Sequence, residues 1–163
     1  MTVSSLPDAL EGAIERLSTA ARAGGATVAV AESLTSGAVA SAIGRGESAS
    51  EWFAGGVVAY LMRVKEAVLG VRPGIDPCSA ECAEQLARGV RERLDAEVAV
   101  STTGVGGPDP EDGHPAGTVF IGWATADEVG HRFLQIDGPP EDVVEETVEA
   151  AVSLLADLTE KSN

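Results

Sequence analysis

The order of helix-like and strand-like segments predicts an α/β fold: a three-layer α/β/α single domain whose mixed, mostly parallel sheet carries a C-terminal β-hairpin. Three observations point to it. Short apolar runs alternate with stretches of helical periodicity along most of the chain, as crossover connections in a parallel sheet require. The apolar residues make up 44% of the chain but aromatics only 4%, so the core must be built from Ala, Val, Leu and Ile, which suit strands covered on both faces. Near the C-terminus two extended runs follow each other directly, which implies an antiparallel pair. At 163 residues the chain is read as one domain, 1–163, able to bury roughly 70% of the surface its unfolded form exposes, with no disulfide or metal.

Asp8 and Glu11 resemble a capping box, followed by a helix whose apolar face is Leu10, Ile14, Leu17 and Ala21. Gly24-Gly25 stops it. Thr27 to Ala31 reads as a buried strand. The polar turn Glu32-Ser33-Leu34-Thr35-Ser36-Gly37 leads into a small-residue helix, Ala38 to Ile43. Strand, turn and helix together gather backbone N–H groups where an anion or a developing oxyanion is stabilised. The competing reading is that Ser33 or Thr35 merely caps the helix.

Ser48 to Lys65 comprises a serine-bearing loop, an apolar run from Trp52 to Tyr60 that reads as a second buried strand, and a helical turn presenting Lys65. Pro73, Gly74 and Pro77 make the next segment a loop. Ser79 caps a helix with Ala83, Leu86, Val90 and Leu94 on one face. Glu97 to Ser101 is a strand that opens into Thr102-Thr103-Gly104-Val105-Gly106-Gly107-Pro108. Glycines there let the backbone approach a ligand closely. The loop lacks the Gly-Lys-Ser/Thr of a Walker motif and the full dinucleotide fingerprint. Gly117 to Ala126 and Val129 to Ile136 form the hairpin. Pro139-Pro140 opens a last helix with Val144, Thr147, Val148, Ala151, Leu155 and Leu158 as its stripe.

With 26 acidic against 11 basic residues, a formal net charge of -15, neither a nucleic-acid backbone nor an anionic membrane surface is expected as partner. No leader and no long uninterrupted apolar stretch is present, which implies a cytoplasmic protein. Cys78 and Cys82 are the only cysteines and have no accompanying ligand cluster, so no metal and no cofactor is expected. His114, in a Pro/Gly loop, and His131, in a strand, are assigned no chemistry. A serine with a lysine as its base activates a hydroxyl without histidine. Such a lysine must be buried, because its reference pKa of about 10.4 has to fall toward neutrality.

Several of these segments, in order and at matching spacing, resemble the CinA C-terminal domain family, the nicotinamide mononucleotide amidohydrolases also called PncC. They are Glu32 to Gly37, the serine before Glu51-Trp52-Phe53, Val58-Ala59-Tyr60 with Lys65, Leu69-Gly70-Val71, and Thr103 to Pro108 with Pro115 to Val119. The resemblance runs from about Asp8 to the last helix. Larger family members carry an additional N-terminal domain, for which this length leaves no room. The resemblance implies hydrolysis of the carboxamide of nicotinamide mononucleotide, or a related pyridine amide, to the acid and ammonia by a metal-free Ser-Lys dyad.

Carried over by position, the catalytic residues are Ser50, Lys65 and Tyr60, and the substrate-binding residues are Ser33, Thr35, Thr103, Gly104, Gly106 and Gly107. Spacing to the lysine favours Ser50 over Ser33 as nucleophile, with Ser33 as the alternative. A small-molecule pyridine nucleotide and a homodimer are the implied partners. The chain departs from the family pattern at Leu61-Met62, at Ser36, and at Pro140 and Val144, where the family carries two arginines. Loss of those arginines implies a missing charge-assisted contact to the substrate, its phosphate being the natural acceptor, for which Arg63 or Arg132 are the candidate substitutes. It also keeps open a divergent, non-catalytic member that binds a nucleotide-like ligand or a protein partner.

Overall fold

The computed structural model describes residues 7–163; the first six lie outside the described residues. α1 (Asp8–Gly24) begins directly after Pro7, and no side chain caps it. Asp8 and Glu11 therefore do not form a capping box. Both sit inside the first turn, where they complement the helix dipole. Gly25 ends α1 at φ 68°, a left-handed conformation that costs glycine nothing.

β1 (Val28–Glu32) is buried along its whole length. It is followed by α2 (Ala38–Ile43), the single turn α3 (Ala49–Trp52) and β2 (Phe53–Val58). α4 (Met62–Leu69) and α5 (Ala80–Arg93) lead to β3 (Val98–Gly104). The hairpin β4 (Thr118–Ala124) and β5 (Val129–Gln135) and the long α6 (Pro140–Lys161) complete the chain. Ser79 caps α5 as its sequence predicts, its Oγ accepting from the Cys82 N–H at 3.1 Å.

The five strands form one sheet in the order β2-β1-β3-β4-β5. β2, β1 and β3 are parallel, and β4 and β5 are antiparallel additions. Alternating side chains divide the core. Val28, Val30, Val98 and Val100 face α1 and α6, whereas Ala29, Ala31 and Ala99 face α4 and α5. The small residues on the second face let α5 settle close to the sheet. Gly122 of β4 lies against the Ala83 carbonyl with no room for a Cβ, and Ser101 Oγ donates to that carbonyl at 2.6 Å.

The stretch from Trp52 to Tyr60 is not a buried strand. Trp52 closes α3, and β2 pairs only with β1, so its residues alternate between half-buried and exposed as an edge strand's must. Among the described residues no helix is long and apolar enough to cross a membrane.

Candidate active site

The chain passes from β1 to β2 on one side of the sheet and from β2 to β3 back across β1. The carboxyl ends of β1 and β3 are therefore where the strand order reverses, the place where open α/β sheets leave a crevice. A cavity of about 410 Å³ opens there, lined by Ser33, Tyr60, Lys65, Cys78 and the loop from Thr103 to Gly107. It is within the range that holds a small ligand.

Ser33 immediately follows β1. Its backbone remains tied to the next strand, because its N–H donates to the Thr102 carbonyl at 3.1 Å. Lys65 lies on α4, one turn in from Leu61, whose carbonyl receives the Lys65 N–H at 3.1 Å. The side chain runs inward and is only 2% exposed. Its Nζ donates to Ser33 Oγ at 3.1 Å and to the Tyr60 carbonyl at 2.7 Å. Burial pushes the Lys65 pKa below its ordinary value, opposed by Cys82 and by the negative charge of Glu111. Among the described residues Lys65 has no ion-pair partner. A hydroxyl and an amine of lowered basicity are thus in contact inside a cavity.

Lys65 makes no hydrogen bond with Ser50, the nucleophile favoured by spacing. Ser50 is exposed on α3 at the amino end of β2, and Lys65 follows the carboxyl end. The six residues of β2 lie between them, about 20 Å of extended chain. Ser33 is thirty-two positions from Lys65 in sequence, but parallel pairing of β1 with β2 sets the ends of the two strands side by side. Register closes the gap directly: Glu32 lies opposite Val58, and the Ala59 N–H donates to the Glu32 carbonyl at 2.9 Å.

Tyr60 lines the cavity, but it holds Lys65 through its backbone carbonyl. The residue is 62% exposed, so it is not a core tyrosine. Thr35 belongs to a different structure. It is buried, and its Oγ1 donates to Glu32 Oε1 at 2.6 Å and meets Thr102 Oγ1 at 2.8 Å. Since the carboxylate can only accept, Thr102 is the donor of that second bond, and Thr35 has no hydroxyl proton left for a ligand.

Glu32, which the sequence presents only as part of a polar turn, holds this network. Its carboxylate also accepts from the N–H groups of Val39 at 2.8 Å and Ala40 at 3.0 Å. The start of α2 is therefore occupied by the chain's own carboxylate rather than offered to an anion, and neither Ser33 nor Thr35 caps it.

Thr103, Gly104, Gly106 and Gly107 all line the cavity. Thr103 Oγ1 donates to the Pro77 carbonyl at 2.5 Å, which fixes the wall formed by the loop before α5. Gly104 has φ 153° and lies against the Thr118 carbonyl and the Val119 Cα, where a Cβ would collide with backbone. Glycine is thus required at the point where β3 turns into the loop.

Cys78 lines the cavity and Cys82 lies behind it, both as free thiols. Burial pushes each thiol up to about 11, with Lys65 partly opposing the shift at Cys82. Neither is a ready thiolate at neutral pH. His114 Nε2 meets Asp76 Oδ2 at 2.6 Å and His131 Nδ1 meets Glu84 Oε1 at 2.8 Å. Neither ring lines the cavity. Pro140 begins α6, and Val144 lines a separate groove with Leu10 and Ala38. Neither of these positions reaches the cavity in this chain, nor do Arg63 and Arg132 line it.

The sequence profile of the CinA C-terminal domain matches residues 10–159. The chain belongs to the CinA C-terminal domain family. Over 125 residues it is 43% identical to a Bacillus velezensis protein provisionally named as competence-damage inducible, covering 74% of this chain and 30% of that one. Over 134 residues it is 38% identical to a CinA-like protein of Frankia casuarinae, covering 80% of this chain and 31% of the other. The chain thus spans about a third of the length of these CinA relatives.

Among solved structures, the competence/damage inducible protein CihA of Agrobacterium tumefaciens superposes with a TM-score of 0.90 at 28% identity, covering 96% of this chain and 99% of that one. A CinA superfamily protein of Escherichia coli gives 0.88 at 30% identity, with 96% and 95% covered. The CinA fold, a single α/β domain with a mixed five-stranded sheet, is therefore shared over nearly the whole chain.

Proposed function

We propose that this CinA-family chain is an amidohydrolase acting on the carboxamide of nicotinamide mononucleotide or a related pyridine amide, with Ser33 as nucleophile and Lys65 as its base. The observation that carries the reading is the contact between the Ser33 hydroxyl and a buried lysine that lacks a carboxylate partner among the described residues. With Lys65 neutral, one N–H stays on the Tyr60 carbonyl, and the nitrogen lone pair is turned toward the Ser33 O–H.

Ser33 Oγ then attacks the carboxamide carbon as its proton passes to Nζ. The protonated Lys65 gives that proton to the departing nitrogen, which leaves as ammonia, and an acyl-serine remains. Water attacks the ester with Lys65 again as base, releasing the carboxylic acid and restoring the serine. Backbone N–H groups of the Gly104 to Gly107 loop and of the turn after Ser33 are the candidates to hold the tetrahedral oxyanion, an effect worth about 3 kcal/mol per donor.

The test is ammonia release from nicotinamide mononucleotide and simpler pyridine carboxamides, beside Ser33→Ala and Lys65→Ala. Release that both substitutions abolish supports the reading. Silence of the folded wild-type protein on every carboxamide overturns it in favour of a non-catalytic, ligand-binding member.

A further inference from the structure

The charge on the cavity wall narrows the substrate further. Asp109, Glu111 and Asp112 line the cavity, and Lys65 is its only basic side chain among the described residues. That lysine is buried, committed to Ser33 and the Tyr60 carbonyl, and must be neutral to act as base. The start of α2, which could have held an anion at this end of the sheet, is already filled by Glu32.

The backbone that carries Glu111 and Asp112 is held in place by its own turn. Glu111 and His114 exchange both backbone hydrogen bonds, at 3.1 and 2.9 Å, around Asp112 and Gly113. Both of these residues have positive φ, 50° and 82°, as a tight two-residue hairpin turn needs. His114 then ties the hairpin to Asp76 on the facing loop.

Resting on the amidohydrolase reading, we propose that this site takes a carboxamide without a phosphate group, cationic or uncharged, and that Asp109, Glu111 and Asp112 are its specificity-determining residues. A phosphate brought into the cavity meets three negative charges and, among the described residues, no free cationic side chain, against a protein whose formal charge is already -15. A pyridinium ring carries the opposite sign and is attracted by the same wall. The carboxylates set the preference through binding; Glu111 also opposes the lowering of the Lys65 pKa, an effect common to both substrates that leaves their ratio unaltered.

The test compares kcat/KM for two substrates that differ only in the phosphate, nicotinamide mononucleotide and nicotinamide riboside, at low ionic strength. The expected result is a preference of about tenfold or more for the riboside, shrinking as salt screens the wall. The combined variant D109N/E111Q/D112N is expected to reduce that preference severalfold, chiefly through KM. Calorimetric titration of both compounds into Ser33→Ala reads the same preference without turnover. A preference for the phosphorylated compound, or one that the combined variant and salt leave unchanged, overturns the proposal. Absence of turnover on both compounds, with the riboside still bound more tightly by Ser33→Ala, overturns the amidohydrolase reading and leaves the charge selection intact.

Discussion

The two ends of the β1–β2 strand pair each present a serine beside a helical turn, and they differ in what surrounds it. At the amino end, Ser50 is exposed on α3. The neighbouring groups serve packing: Trp52 is buried, its Nε1 donates to the Glu47 carbonyl at 2.9 Å, and Ser18 of α1 donates to the same carbonyl at 2.7 Å. At the carboxyl end, Ser33 is buried against an amine that has no ion-pair partner among the described residues, beside an open cavity. A polar group kept in a costly environment and facing a cavity is a candidate for chemistry, whereas a polar group paired to seat a loop serves stability.

The sharpest way to break this comparison is to exchange the roles of the two serines. Ser33→Ala is expected to lower amide hydrolysis by about 10³-fold or more, as removal of a nucleophile does. Ser50→Ala is expected to stay within about threefold, since an exposed side chain outside the site contributes little. Steady-state ammonia release from both variants decides it. At the structural end, Trp52→Ala is expected to cost about 3–5 kcal/mol of stability in urea denaturation, through the cavity it leaves. A loss under about 1 kcal/mol would show that α3 is not anchored as described.

Lys65→Met sharpens the contrast from the other side. Burial lowers the Lys65 pKa in the folded protein, so between that value and the unfolded value of about 10.4 the unfolded chain binds a proton that the folded chain does not. Wild-type stability therefore rises with pH through that window. Lys65→Met, with nothing to protonate, is expected to be inactive yet more stable than wild type near neutral pH, with the advantage shrinking as pH climbs toward about 10.4. Denaturation midpoints across pH test this, and a variant that is less stable throughout would argue against an uncompensated amine. The smallest effect is expected at Tyr60→Phe. Its carbonyl, not its phenol, holds Lys65, so activity should remain within about threefold of wild type.

Much of this architecture is legible in the sequence alone. Short apolar runs and period-3.6 stretches mark every main element, because strands covered on both faces are apolar throughout and a helix buried on one face leaves its period in the sequence. The glycine-rich loop, Ser33, Tyr60 and Lys65 all stand out in the sequence, and all line the same cavity. The pairing does not, because distance along the chain is a poor guide across a parallel sheet. Ser50 is closer to Lys65 in sequence, yet β2 holds the two apart, while the register of β1 on β2 brings Ser33 alongside.

The role of Glu32 is equally hidden. Only the fold turns its carboxylate back onto the N–H groups of α2, and a polar turn of six residues offers no sign of which one bends inward. Edge status of β2 is likewise a property of strand order. The apolar run Trp52–Tyr60 suggests full burial because it spans a packing tryptophan, an edge strand and an exposed cavity rim without interruption.

The assignment of Ser33 as nucleophile is tested most directly by covalent capture. The protein would be treated near neutral pH with an activated acylating or phosphonylating reagent, and the modified residue mapped by peptide mass spectrometry. A single adduct on Ser33, strongly diminished in Lys65→Ala, is the result expected from the buried contact between the two side chains. An adduct on Ser50, or labelling of Ser33 that survives undiminished without Lys65, would contradict it.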